Sequence, residues 1–225
     1  MIFLNNNNGC NNIKEKKNTL KIIQFFLQKI GIKFDALKLK KISDLGFIIA
    51  EKIVVKLDKM LPFYLDFYKT MIENEIKIAG ITKKDKILHI GCGSIPATPI
   101  LVAEKTGACV TGIDKNLASI KKAQELIYNL KLSSKIKFEH AEASRYHLNC
   151  FDLIIIAHGI KSYNETLRYI AESMNSNARV ILRTDSSNTG ELVEKDLFLK
   201  DIFKISKKVY QKKNGLLISL LLLKK

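Results

Sequence analysis

Two glycines and two acids have the types and the spacing of a nucleoside-binding site. The glycines stand in the turn Gly91-Cys92-Gly93, which follows a short apolar run, and Asp114 ends the next such run about twenty residues later. Glycine lets a backbone turn approach a ligand closely, and a carboxylate at the end of the second run can accept hydrogen bonds from both ribose hydroxyls. Glu142 follows a third run, where it can accept a hydrogen bond from an adenine amino group or from a neighbouring backbone donor. The pattern predicts a site for an adenosine-containing ligand.

The residue that follows this turn favours one class of adenosine ligand. A dinucleotide site usually has a third glycine at the position of Pro96, where the N–H groups of a helix meet the pyrophosphate. Proline stiffens the turn and has no N–H to donate, so a ligand without phosphate fits better. S-adenosylmethionine (SAM) is such a ligand and is the one we predict together with the resemblance given below, and an NAD-binding domain is an alternative.

Strands and helices that can position these residues alternate from Lys86 onward. Strands that alternate with helices predict a doubly wound parallel sheet. The alternation ends in two strands, 203–210 and 216–223, which are joined by a turn at Asn214-Gly215. We therefore predict a Rossmann-like, doubly wound, mostly parallel seven-stranded α/β sheet with an antiparallel C-terminal hairpin. The five earlier strands are predicted at 86–91, 108–114, 135–140, 151–157 and 178–184, and the helices at 97–105, 117–130, 165–174 and 191–203.

The first 80 residues lack this alternation. An Asn- and Lys-rich arm has too little apolar surface to fold, and three helical stripes follow it. The third stripe begins after Pro62 and ends at Gly80. We predict a disordered arm over residues 1–17, a small helical cap over 18–80 and a SAM-binding domain over 81–225.

The composition limits the possible partners. The chain of 225 residues has a formal net charge of +16, which by itself suggests a nucleic-acid partner. Only four of its 38 basic residues are arginine and it has no tryptophan, whereas nucleic-acid readers combine arginine forks with aromatic stacking. We attribute the lysine excess to A/T-rich codon usage and expect no specific nucleic acid.

The same composition bears on location and on metals. The longest apolar stretch is too short for a membrane helix, and the first residues have no secretion signal. The four cysteines show no metal-ligand spacing. We expect a cytoplasmic protein without a bound metal or a membrane partner, and the sequence does not define its oligomeric state.

Residues 84–225 resemble the class I SAM-dependent methyltransferase superfamily, whose fold carries the same terminal hairpin. The turn GCGSIPATP (91–99) is more closely similar to that of the nicotianamine synthase family, which has proline and threonine where Pro96 and Thr98 stand. That family moves the 3-amino-3-carboxypropyl group of SAM onto an amine, releases methylthioadenosine and builds metal-chelating amino acids. The resemblance implies a transferase with a small amine or amino-acid acceptor, in metallophore biosynthesis. The residues expected to bind SAM are Gly91, Cys92, Gly93, Pro96, Thr98, Asp114, Glu142 and Ala157.

The segment 61–76 is similar to the aromatic helix of the same family. The similarity implies substrate contacts at Tyr64 and Tyr68 and a catalytic glutamate at Glu73 or Glu75. Resemblance favours Glu73 as the group that takes the acceptor's proton. Helix geometry favours Glu75, because it shares a face with apolar residues of the same helix. Both acids remain candidates.

Two further residues stand at the ends of predicted strands. RVILRTD (179–185) resembles the family's fifth strand, and it places Arg183 where a guanidinium can hold a substrate carboxylate through two hydrogen bonds. His158 follows the fourth strand, where catalytic groups commonly lie, and is an acid/base candidate.

Two other functions remain open from the sequence. The first is an ordinary small-molecule methyltransferase, and the second, of another class, is a non-catalytic SAM- or NAD-binding protein. Methyltransferases of amino bases and of cytosine C5 are disfavoured. No Asp/Asn-Pro-Pro-Tyr motif follows the fourth strand, and the chain contains no Pro-Cys dipeptide.

Overall fold

The computed structural model describes residues 61–158, 160, 163–185, 197–211 and 217–225. The predicted arm and the first two helical stripes lie outside these residues, so the division into arm, cap and SAM-binding domain stays a prediction. The described helices are α1 (Leu61–Ala79), α2 (Ala97–Thr106), α3 (Leu117–Asn129), α4 (Tyr163–Ser173) and α5 (Leu197–Ile202). The strands are β1 (Lys86–Ile90), β2 (Cys109–Asp114), β3 (Ile136–His140), β4 (Leu153–Ile156), β5 (Arg179–Asp185), β6 (Phe203–Tyr210) and β7 (Leu217–Lys224).

The seven described strands form one sheet in the order β3-β2-β1-β4-β5-β7-β6. The five strands from β3 to β5 pair in parallel, and β7 runs antiparallel between β5 and β6. The predicted fold, including its antiparallel hairpin strands, is confirmed. The strand order reverses at β1, because β2 and β3 lie on one side of β1 and β4 and β5 lie on the other. Open α/β sheets bind ligands at this point, beyond the carboxyl ends of the strands.

The sheet packs against a hydrophobic cluster on each of its two faces. Ile87 of β1 belongs to the cluster that includes residues of α1, α2 and α3, whereas Leu88 and Ile90 belong to the cluster with α4. This division follows from the two-residue period of a strand. Met71 and Ile72 of α1 are fully buried in the first cluster, so α1 packs directly on the sheet.

Arg179 of β5 fixes the C-terminal end of α1 to the sheet. Its guanidinium donates hydrogen bonds to the carbonyls of Ala79 and Gly80 and forms an ion pair with Asp85. The Asp85 carboxylate also accepts a hydrogen bond from the backbone N–H of Thr82 at 2.6 Å. These contacts hold α1 in place relative to the strand that carries Arg183.

Some predicted boundaries differ from the observed ones. The helix predicted over 191–203 extends one residue too far, because Phe203 already begins β6, and the structure describes α5 only from Leu197. A short 3₁₀ turn, Ala143–Arg145, lies between β3 and β4. The predicted Asn214-Gly215 turn lies outside the described residues. No helix in the described ranges is long and apolar enough to cross a bilayer, and the cytoplasmic location stays a prediction.

Candidate active site

The glycine turn after β1 is closed by backbone hydrogen bonds to β2. The N–H groups of Gly91 and Cys92 both donate to the carbonyl of Ile113, at 2.8 and 3.1 Å. Gly91 has a φ of +79°, a conformation that costs a residue with a side chain free energy. A Cβ atom at Gly91 would also lie 3.3 Å from the Cβ of Ala157. The turn therefore needs glycine at this position for both conformation and space.

The Asp114 carboxylate is oriented by two backbone donors. Its Oδ2 accepts a hydrogen bond from the N–H of Gly93 at 3.0 Å, and its Oδ1 accepts one from the N–H of Asn116 at 2.9 Å. Each oxygen of a carboxylate has two lone pairs. These two hydrogen bonds use one lone pair on each oxygen, and they link the carboxylate both to the glycine turn and to the start of α3.

A cavity of about 600 Å³ opens beyond the carboxyl ends of β1, β2 and β4. Its volume falls in the range of about 300–1,000 Å³ that is usual for small-molecule sites. Five predicted site residues line it: Gly91, Asp114, Glu142, Ala157 and His158. The sheet thus brings together residues that are far apart in sequence.

The other residues of the predicted SAM set belong to the turn and not to the described cavity lining. Cys92, Pro96 and Thr98 are buried, and Gly93 is half-buried. Pro96 is the N-cap of α2, and its carbonyl accepts the first helical hydrogen bond, from the N–H of Ile100 at 3.1 Å. These residues therefore contribute to the shape of the turn and not to the wall of the cavity.

The cavity also has charged residues that sequence reasoning missed. Lys115 directly follows Asp114, and Arg145 lies three residues after Glu142, with Nε of Arg145 4.0 Å from Oε2 of Glu142. Glu165 and Thr166 reach the cavity from the first turn of α4. Lys115 could have been predicted, because it directly follows the end of a strand. Glu165 and Thr166 could not, because no local sequence pattern shows that the fold brings α4 to the cavity.

A buried ion pair connects α1 to β5. Arg183 donates from Nε to Oε1 of Glu75 at 2.8 Å and from Nη2 to Oε2 at 2.7 Å. The side chain of Glu75 is 1% exposed and that of Arg183 is 6% exposed. Ser219 of β7 adds a third hydrogen bond, from its hydroxyl to Oε1 of Glu75 at 2.7 Å. Glu75 is buried, as its position on the apolar face of the helix predicted, and its hydrogen-bond partners lie on β5 and β7.

The other candidate glutamate of α1 has a different environment. Glu73 is 47% exposed, and its Oε1 lies 2.7 Å from Nζ of Lys105 on α2. Tyr64 and Tyr68 lie further toward the start of α1 and are half-buried. Their rings are 5.0 Å apart, and the Tyr64 hydroxyl donates to that of Tyr68 at 3.5 Å. Glu73 therefore lies on the surface, whereas Glu75 is buried.

The cavity and the buried ion pair lie on neighbouring strands. Ile156, the last residue of β4, and Leu182 of β5 are register partners, so Ala157, which follows β4, and Arg183 of β5 stand at about the same level. Neighbouring strands are about 4.8 Å apart. The backbone of Arg183 therefore stands one strand from Ala157, while its side chain lies with Glu75 on the α1 face of the sheet, opposite the α4 residues that line the cavity.

His89 of β1 is a buried titratable group with no hydrogen-bond partner on either ring nitrogen. It lies on the face of the sheet that packs against α1 and α2, because it alternates with Leu88 and Ile90. Burial, and secondarily the positive charge of Arg183, hold the pKa of His89 well below 6.5. The imidazole is therefore neutral at physiological pH.

The structure also bears on metals. Within the described ranges, no group of three His, Cys, Asp or Glu side chains is arranged to hold a metal ion. The expected lack of a bound metal stays a prediction.

Residues 81–216 match a protein family described as "Methyltransferase domain". The match covers more than half of the chain and confirms the predicted resemblance at the level of the superfamily. It starts after α1, so Glu75 lies outside the matched residues.

Two curated relatives carry the name L-histidine 2-aminobutanoyltransferase. The one from Yersinia pestis is 32% identical over 75 residues, which are 33% of this chain and 28% of the relative. The one from Pseudomonas aeruginosa (strain UCBPP-PA14) is 23% identical over 128 residues, 56% of this chain and 49% of the relative. The chain therefore spans about half or less of the length of these relatives.

Solved structures share the fold at low sequence identity. A point mutant of MtNAS, a nicotianamine synthase, in complex with S-adenosylmethionine matches with a TM-score of 0.69 and 20% identity, over 82% of this chain and 75% of that one. An RNA methyltransferase from Salinibacter ruber matches with a TM-score of 0.55 and 15% identity, over 70% of this chain and 92% of that one. At these identities the similarity establishes the fold.

Proposed function

The chain belongs to the methyltransferase-domain family, and from this membership we propose that it is a SAM-dependent transferase with a small amine or amino-acid acceptor. We propose further that it moves the 3-amino-3-carboxypropyl group of SAM, in the manner of nicotianamine synthases, and releases methylthioadenosine. A product that carries several amino and carboxylate groups would suit metal chelation, hence a role in metallophore biosynthesis.

The observation that carries the proposal is the orientation of Asp114 at the cavity wall. Two backbone N–H groups take one lone pair on each carboxylate oxygen, which leaves one on each for a further donor. Two adjacent ribose hydroxyls supply that pair of donors. Glu142, which lines the same cavity, is our proposed acceptor for the adenine amino group. The glycine turn allows a ligand to approach the backbone at the end of β1.

The chemistry follows from the sulfonium of SAM, which makes each attached carbon open to attack. The acceptor's ammonium first gives up a proton to become an amine, and the nitrogen lone pair then forms a bond to the carbon of the aminocarboxypropyl group that is next to sulfur. The carbon–sulfur bond breaks, and its electron pair stays on sulfur in methylthioadenosine. The new ammonium then loses a proton. The protein must hold the nitrogen in line behind that carbon and give the proton a path.

The buried pair of Glu75 and Arg183 supports an amino-acid acceptor. A guanidinium pairs with a carboxylate and a carboxylate pairs with an ammonium, so the two side chains together complement a zwitterion. Three of the four lone pairs of Glu75 are used by Arg183 and Ser219. The fourth, on Oε2, is the one we assign to the acceptor's ammonium. The relatives named L-histidine 2-aminobutanoyltransferase support an amino-acid acceptor as well.

We choose Glu75 over Glu73 as the acid that serves transfer. Glu75 is buried and pairs with Arg183, whose backbone stands one strand from Ala157, whereas Glu73 is exposed and pairs with Lys105. His158 lines the cavity itself and is our candidate for carrying the proton away. Tyr64 and Tyr68, on the same helix as Glu75, remain the proposed aromatic contacts of the substrate.

The by-product of the reaction tests the proposal. We expect that incubation with SAM and a mixture of amino acids releases methylthioadenosine, as measured by chromatography with mass detection. Release of S-adenosylhomocysteine would instead show an ordinary methyltransferase, the second candidate function, which the family match favours. A control with boiled protein accounts for the spontaneous breakdown of SAM.

Two other classes are separated by binding experiments. Competitive calorimetry with SAM and NAD distinguishes the SAM site from a dinucleotide site, and SAM binding without turnover in any amine mixture would indicate a non-catalytic binding protein.

The absence of a specific nucleic-acid partner also stays a prediction. We expect binding to RNA or DNA to disappear at moderate salt without sequence preference.

A further inference from the structure

We infer that Ser219 and Gln211, in the C-terminal strands, are positioning residues that hold the Glu75 carboxylate in a single orientation. The inference rests on the proposed function, in which Glu75 and Arg183 bind the acceptor. Neither Ser219 nor Gln211 stands in a motif of the sequence, and neither lines the described cavity.

Four side chains form a chain of hydrogen bonds that ends on the carboxylate. Nδ2 of Asn74 donates to Oε1 of Gln211 at 3.0 Å, and Nε2 of Gln211 donates to Oγ of Ser219 at 3.0 Å. The Ser219 hydroxyl then donates to Oε1 of Glu75 at 2.7 Å. Each group gives one hydrogen bond to the next, in one direction. Since Asn74 and Glu75 are neighbours on α1, the chain closes a ring between the helix and the strands.

The polar residues of this ring stand among apolar ones. Ser219 is the only polar residue between Leu217 and Leu223 of β7, and it is fully buried. Gln211, directly after β6, is 2% exposed. A buried hydroxyl or amide is unfavourable unless it is hydrogen-bonded, and an aliphatic residue at position 219 would extend the apolar strand. The hydroxyl is therefore explained by its hydrogen bond to Glu75.

Ser219 determines which oxygen of Glu75 is available to a ligand. Oε1 accepts from both Nε of Arg183 and the Ser219 hydroxyl, so both of its lone pairs are used. Oε2 accepts only from Nη2 of Arg183 among the described hydrogen bonds. Because Arg183 and Ser219 are register partners on β5 and β7, both donors approach from the sheet. The remaining lone pair on Oε2 is thereby set in one direction.

The test compares variants with and without the hydroxyl. We expect Ser219→Ala to lower kcat/KM for the amino-acid acceptor about tenfold, the usual effect of losing a hydrogen bond to a charged group. Ser219→Thr, which keeps the hydroxyl, should retain most of the activity. SAM affinity, measured by calorimetry, should be unchanged in both. Ser206→Ala, at an exposed serine of the neighbouring strand β6, is the matched control and should behave as wild type.

Each outcome of this test is decisive. Equal losses in Ser219→Ala and Ser219→Thr would overturn the inference, because the hydroxyl would then not matter, and so would normal kcat/KM in Ser219→Ala. If Ser219→Ala does not fold, Gln211→Met removes the donor to Ser219 one step further from the carboxylate, and unchanged kcat/KM there would also overturn it. A wild-type protein that turns over SAM with no amine would contradict the proposed function itself, and the inference with it.

Discussion

The two halves of the candidate site are held in place by different kinds of contact. At the cavity proposed for the donor, backbone N–H groups fix the turn and orient Asp114. At the proposed acceptor side, the Glu75 carboxylate is held by side chains from β5 and β7. Backbone hydrogen bonds are kept when the surrounding side chains change, whereas the hydrogen bonds around Glu75 depend on the identity of each side chain that makes them. We therefore expect the donor half to tolerate substitution better than the acceptor half, except at the glycines and at Asp114.

The largest effect is expected from Glu75→Gln. The substitution removes one charge of a buried pair and leaves Arg183 without its counter-charge, which typically costs about 3–5 kcal/mol of stability. Transfer should stop, because the acceptor loses its anionic partner. SAM binding to the folded protein should remain. Chemical denaturation, calorimetry with SAM and a product assay measure the three quantities.

Glu73→Gln is the matched control on the same helix. Glu73 and Lys105 form a surface pair, and such pairs contribute about 0–1 kcal/mol. Stability and transfer should both stay close to wild type. If Glu73→Gln stopped transfer while Glu75→Gln did not, the assignment of the acid would be reversed.

The next effect concerns the donor half. Asp114→Ala should weaken SAM binding at least about 100-fold, since two hydrogen bonds to a charged group are lost. The turn also loses the acceptor for the N–H of Gly93. Asp201→Ala, at an exposed acid of α5, controls for the change of net charge. SAM affinity of Asp114→Ala equal to that of the control would remove the donor assignment.

The contrast between the two halves also explains what the sequence predicts. The glycine turn and Asp114 were predicted because the backbone at strand ends behaves alike wherever a strand meets a helix, so residue type and spacing are enough. The fold was predicted from the alternation of strand and helix patterns, together with the Asn214-Gly215 turn. Glu75 lies 108 positions from Arg183 and 144 from Ser219. Helix periodicity predicts that Glu75 is buried, but no local pattern predicts which strands supply its partners.

A smaller effect tests the conformation of the glycine turn. Gly91→Ala and Gly80→Ala both place a side chain at positive φ, +79° and +63°, which costs about 1–2 kcal/mol of stability. Only Gly91 has a close neighbour, Ala157, whereas a Cβ at Gly80 meets nothing within 4 Å. Gly91→Ala should therefore also weaken SAM binding, by about tenfold, and Gly80→Ala should not. Equal SAM affinities in the two variants would show that the contact with Ala157 does not shape the site.

The smallest expected effect belongs to His89. The depressed pKa means that the unfolded chain takes up a proton below pH 6.5 while the folded protein does not. Stability should therefore fall as the pH decreases, by about 1 kcal/mol between pH 6.5 and 5.5. His89→Leu should remove this part of the acid sensitivity and leave stability at pH 7.5 unchanged or higher, because two unsatisfied nitrogens are lost.

Urea unfolding at the two pH values measures the effect, with His147→Leu at an exposed histidine as the control. The control should keep the wild-type dependence. Acid sensitivity of His89→Leu equal to that of wild type would show that the buried imidazole is protonated in the folded protein. The assignment of a neutral imidazole to His89 would then be wrong.

The central claim is that the protein transfers the aminocarboxypropyl group of SAM to an amino acid. The most direct measurement uses SAM with different isotopes in its methyl and aminocarboxypropyl groups, and it follows the mass of the amino-acid product. The account predicts a product that carries the aminocarboxypropyl label and none of the methyl label, together with methylthioadenosine. A product that carries only the methyl label would contradict it.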